Sequence, residues 1–180
     1  MKRLFSGMFL VTFLLFAGCV SYQLPVVEKP INEFEINVPV KTVWKAVICY
    51  FSDKNIPIEN IVDSLFIKTK KINVVSLSGG LDMFGRKFSV KNKWCDCGKV
   101  GMGNVFSSKT QVFLAYSVYL EEITSSKTKL IINTFFTGIK LGSENAYTGY
   151  DKSVQLTCIS TGVVEMNIVK YVRNKCKTGF

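Results

Sequence analysis

Histidine is absent from all 180 residues. Without it neither a Ser/His/Asp nor a Cys/His nucleophile system can be assembled, and the usual His-containing zinc sites fall away as well. Acidic residues are few, 13 against 23 Lys and Arg, and they are scattered. Glu121 and Glu122 are adjacent in an alternating stretch, which sends their carboxylates to opposite faces of a strand. No carboxylate pair is left for acid and base work, so the chain reads as non-catalytic, with no catalytic residue and no metal site. Repeats of about 20 to 50 residues are missing, as are low-complexity tracts outside one Gly-rich stretch. Lysines are dispersed, and none of them interleaves with aromatics at the spacing of a nucleic-acid module, so nucleic acid is not an expected partner.

What is present begins with Lys2 and Arg3, followed by an apolar run from Leu4 to Ala17 and small residues before Cys19. At 14 residues the run falls short of the roughly 20 that span a hydrocarbon core. It has the layout of an export signal, residues 1–18, rather than a transmembrane helix. Phe16-Ala17-Gly18-Cys19 resembles the bacterial lipobox, with Phe16 standing where leucine is usual. The resemblance implies cleavage between Gly18 and Cys19, and a diacylglycerol and an N-acyl chain on Cys19 as the only added groups, with no other cofactor. Val20 and Ser21 lack the aspartate that holds enteric-type lipoproteins at the inner membrane, which implies a lipid anchor in the outer membrane. Cleavage leaves 162 residues, enough for one domain with a real core, and the net charge falls from +10 to +8 as Lys2 and Arg3 leave. Each cation near an anionic leaflet adds at most about 1 kcal/mol of attraction. Dispersed lysines read first as a solvated surface.

Residues 19–33 carry Pro25 and Pro30 without periodicity, and read as an extended tether. A single domain, 34–180, follows. Phe34, Ile36 and Val38 alternate as in a half-buried strand. Pro39 suits a helix start, and Val40, Val43, Trp44, Val47 and Phe51 keep helical spacing until Asn55. Trp44 on that stripe reads as core packing. Ile56 to Val62 and Leu65 to Lys71 form a hairpin about Asp63-Ser64. From 72 to 108 periodicity disappears and six glycines occur, which makes a Gly-rich loop that is functional, partly disordered or built on short strands no period reveals. Within it Leu81, Met83 and Phe84 form a candidate docking segment. Val112, Leu114, Tyr116, Val118 and Leu120 mark the clearest strand, returning through Ser125-Ser126 into 129–140. After a loop at 142–153, Thr161 offers an N-cap and Glu165 favours the first turn of a closing helix carrying Val164, Ile168, Tyr171 and Val172. The order predicts an α+β domain, an antiparallel sheet with two helices packed on one face.

Five cysteines besides Cys19 leave one thiol over after any pairing. Cys95-Asp96-Cys97 has the look of half a metal site, but with no His and no second tight Cys pair, a structural bridge is the better reading. Asp96-Cys97-Gly98, with Cys158-Ile159-Ser160-Thr161-Gly162 and Glu165 some sixty residues on, resembles a pattern in small bacterial envelope lipoproteins. In that pattern a bridge joining Cys97 to Cys158 pins the central loop to the approach of the last helix. Cys49, Cys95 and Cys176 lie outside it, with Cys49 and Cys176 on the two helices. The opening Val38-Pro39-Val40-Lys41-Thr42-Val43-Trp44-Lys45-Ala46-Val47 is similar to the start of the helix-grip domains of the BamC lipoprotein of the barrel-assembly machine. Together these resemblances imply a helix-grip-like fold and a binding or scaffolding role toward an envelope protein. The alternative from another class is carriage of a small ligand or lipid in a groove between helix and sheet.

Overall fold

Alternation of apolar residues over the second half of the chain dictates one long antiparallel hairpin, and this hairpin is the spine of the domain. In the computed structural model, residues 22–25, 28, 30–78, 88–100, 109–141 and 154–179 are described. In chain order the strands and helices among them are β1 (Tyr22–Gln23), β2 (Glu33–Ile36), α1 (Val40–Asp53), β3 (Ile58–Val62), β4 (Phe66–Thr69), β5 (Ile72–Ser78), β6 (Phe88–Lys91), β7 (Cys95–Val100), β8 (Lys109–Thr124), β9 (Lys127–Leu141), β10 (Val154–Ser160) and α2 (Val163–Thr178). The sheet order is β1-β7-β10-β9-β8-β4-β3, with β2 added on β9, β5 on β8 and β6 on β7, and all the pairs are antiparallel.

The spine pairs Leu120 with Leu130, Val118 with Ile132 and Leu114 with Phe136. All six are buried, and they share one core with the apolar stripes of both helices. From α1 come Val43, Ala46, Val47 and Phe51, each 0 % exposed, and from α2 come Ile168, Val169 and Val172, also fully enclosed. The helices pack on each other and on β8 and β9. Pro39 supplies the first carbonyl of α1, accepting from Thr42 and Val43 amides. Asn55, at φ 52°, turns the chain out of the helix. Asp63 and Ser64 both take positive φ, the sign that primed hairpin turns require, and the Leu65 amide closes the turn on the Val62 carbonyl at 3.1 Å.

Three differences from the sequence reading have physical causes. The aperiodic stretch at 72–108 contains β5, β6 and β7; bulges at Asn73/Val75 and Ser89/Lys91 insert an extra residue and break the two-residue period. The residue before α2 is Gly162 rather than Thr161, in left-handed conformation at φ 84° with no side-chain cap, and the Thr161 hydroxyl donates instead to the Lys93 carbonyl at 2.7 Å. A side chain at 162 would be strained by that φ and would meet Pro30 Cβ at 3.2 Å. In the stretch read as a tether, Tyr22 and Gln23 pair with Val100 and Lys99 of β7.

Candidate functional site

One edge of β9 is shared by two short partners, and a gap lies between them. β2 covers residues 128–131, where Glu33 faces Ile131, and the Asn32 carbonyl extends the pairing by accepting from the Ile132 amide at 2.8 Å. β10 covers residues 136–140. At Cys158 it peels away, and its last two residues, Ile159 and Ser160, pair with Asp96 and Cys95 of β7 instead. Residues 133–135 of β9 are left without a neighbouring strand on that edge.

Glu165, in the first turn of α2, enters this gap. It is only 1 % exposed. One carboxylate oxygen accepts a hydrogen bond from the Thr134 hydroxyl on β9, and the other accepts from the Ser160 hydroxyl on β10 at 2.9 Å. A single carboxylate thereby ties together two strands that have separated. The Ser160 oxygen in turn accepts from the Gly162 amide at 3.1 Å, which fixes the entry to α2. Among the described residues no Lys or Arg nitrogen forms an ion pair with Glu165. Two hydroxyl donors do not exhaust a carboxylate, which offers about four acceptor positions. Its field reaches Tyr116, whose phenol is pushed up by burial first, then by Tyr50 and by Glu165.

Above this floor opens a cleft of about 230 Å³, walled by Pro30, Asn32, Phe135, Cys158 and Ile159. The Asn32 side-chain amide donates to the Asn133 side-chain oxygen at 2.7 Å across its mouth. Phe135 is 56 % exposed on the rim. A recessed anion below an apolar rim can take a cation or a strong N–H donor carried on a narrow stem.

Beside the cleft lie three cysteines. Cys97 and Cys158 are bonded across β7 and β10, with Cα atoms 3.9 Å apart. Cys95 is a free, fully buried thiol, with its sulfur 3.9 Å from that of Cys97 and receiving the Asn92 side-chain amide at 3.6 Å. Burial pushes this thiol up to about 11, with the Asn92 contact acting the other way and the charge of Asp96 adding to the rise.

Gly18, Cys19, Leu81, Met83 and Phe84, singled out in the sequence, lie outside the described residues. Trp44 is half-buried at the margin of the core. The α1 residues Val43, Ala46, Val47 and Phe51 are fully buried, and the cleft of Glu165 lies at the sheet edge beside β2 and β10. Sequence reasoning gave Glu165 a favourable place at a helix start and a position in the envelope-lipoprotein pattern, without a partner for its carboxylate. A sharper signal was available: Glu165 adjoins Val164 and lies three before Ile168, so it borders the buried stripe and must find partners inside. Compared with protein families, with curated proteins and with solved structures, the chain matches none.

Proposed function

We propose that this chain is an exported lipoprotein, held at the outer membrane by acyl groups on Cys19, whose domain binds another envelope protein without catalysing a reaction. The observation that carries the binding reading is the cleft between β2 and β10, with the buried carboxylate of Glu165, which no described Lys or Arg meets, as its floor. In a mature chain of net charge +8, such a recessed anion favours a narrow cationic group, a lysine or arginine side chain on a protruding segment of the partner. Phe135 on the rim offers a ring against the stem or the charge of that side chain. The anchor raises effective concentration toward neighbours in the same membrane without any new contact. Packing of α1 on β8 and β9 and of α2 on β9 fits a helix-grip arrangement, and that supports the scaffolding role implied by the BamC resemblance.

The test is photocrosslinking in intact cells from a photoreactive phenylalanine at position 135. A protein adduct is expected, to be lost in Glu165→Gln and weakened in Cys19→Ser, which also loses fatty-acid labelling. Absence of any protein adduct, or an adduct indifferent to Glu165→Gln, overturns the binding reading; continued labelling of Cys19→Ser overturns the anchor.

A further inference from the structure

The three cysteines beside the cleft carry an inference that does not depend on the binding partner. Cys95 and Cys97 are two apart on β7, so the pleat turns both side chains to the same inward face. Cys158 arrives from β10 directly opposite Cys97. All three sulfurs lie within 4.8 Å of one another and all three residues are buried. The bridge uses two of them. Cys95 is left 3.9 Å from Cys97, and that separation is the edge of a metal–thiolate polyhedron. With metal–sulfur bonds of about 2.3 Å, sulfur–sulfur edges come to about 3.8 Å in a tetrahedron and about 4.0 Å in a trigonal plane.

We propose that reduction of the Cys97–Cys158 bond converts Cys95, Cys97 and Cys158 into a three-thiolate site for a soft divalent cation of the zinc class. A thiol reductant gives two electrons and two protons to the S–S bond and leaves as its disulfide; a phosphine gives the two electrons, water supplies the two protons and the oxygen, and the phosphine leaves as its oxide. The cation then takes the three sulfurs as thiolates and releases their protons to solvent. Bridge and metal are mutually exclusive, because a disulfide has no thiolate to give.

Four further features fit. The donor set is all sulfur, which selects soft cations. A divalent ion leaves the buried cluster with one net negative charge and a monovalent ion leaves two, so burial favours the divalent one. An outer group is already in place: the Asn92 oxygen is held by the Trp94 and Cys95 amides at 2.7 and 3.0 Å, which turns its NH2 toward the Cys95 sulfur. A route in exists as well, since Cys158 and Glu165 both line the cleft, and the carboxylate draws cations toward the sulfurs.

The experiment uses the mature lipoprotein in detergent, reduced with a phosphine and titrated with Cd(II), then with Zn(II) in competition. One equivalent should bind, with an ultraviolet sulfur-to-cadmium charge-transfer band. Cys95→Ser, which retains the bridging pair, should weaken binding by more than about 100-fold, beyond the effect of losing an outer-shell group. The doubly substituted Cys49→Ser, Cys176→Ser chain should bind as the parent does, and the oxidised parent should not bind. Should the reduced chain lose its near-ultraviolet dichroism, Zn(II) is expected to restore it. No binding to the reduced parent, equal binding by Cys95→Ser or by the oxidised chain, or loss of binding in the Cys49, Cys176 double variant each overturns the site.

Discussion

At the scale of single residues, Glu165 shows how a charge becomes structural when its partners come from elsewhere in the chain. Its two hydroxyl donors stand 31 residues back, at Thr134, and five back, at Ser160. Buried hydroxyls left without a partner are expensive, so Glu165→Ala should destabilise the domain by about 2 to 3 kcal/mol in urea denaturation. Glu165→Gln keeps the shape and one acceptor, and should cost about 1 kcal/mol. Equal losses would mean that the carboxylate acts through packing alone. The sequence placed Glu165 at the border of a buried stripe, but which hydroxyls would meet it was not readable beforehand, because Thr134 and Ser160 reach it only through the fold. Leu114, Val118, Leu130 and Ile132 were different: their alternation in the sequence already assigned them to one face, and all four are buried.

Among elements, the two helices are joined by a polar contact as well as by their apolar stripes. The Tyr171 hydroxyl on α2 donates to Asp53 at the end of α1, and the Tyr171 ring meets Tyr50 edge-on at 5.3 Å. That hydrogen bond, with smaller contributions from burial and from the charges of Asp53 and Cys49, pushes the Tyr171 phenol up to about 12. The neutral phenol is thus favoured in the folded state. Its contribution is complete below the unfolded value of about 10 and is lost as pH rises toward 12. Tyr171→Phe should therefore cost less than about 1 kcal/mol near pH 8, the contact being largely in solvent. Chemical denaturation of both forms at rising pH should show this gap closing above about pH 10; a gap that widened there would reverse the assignment. Both helices and the β8–β9 hairpin could be read from periodicity. Strands β5, β6 and β7 could not, since two of their pairings carry bulges that hide the alternation.

For the molecule as a whole, the Cys97–Cys158 bond ties β7 to β10, and with them the chain on either side of the long spine. It closes a loop of 61 residues, so by chain entropy its loss should cost at most about 4 kcal/mol. Cys158→Ser should lower the urea midpoint accordingly when both chains are unfolded without reductant, and should make the folded chain insensitive to added reductant; an unchanged midpoint would show that β10 holds its place through Leu156 and the spine alone. By itself the sequence determined the basic balance, the exclusion of histidine chemistry, both helices and the central hairpin. Each of these depends on composition or on a local period, and a period of two or of 3.6 survives any tertiary arrangement. Only the tertiary structure decided that β10 splays from β9, that Glu165 fills the opening, and that a third sulfur, Cys95, stands beside the bridge. These are meetings of residues far apart in the chain, fixed by strand register and helix packing, and no local pattern encodes them.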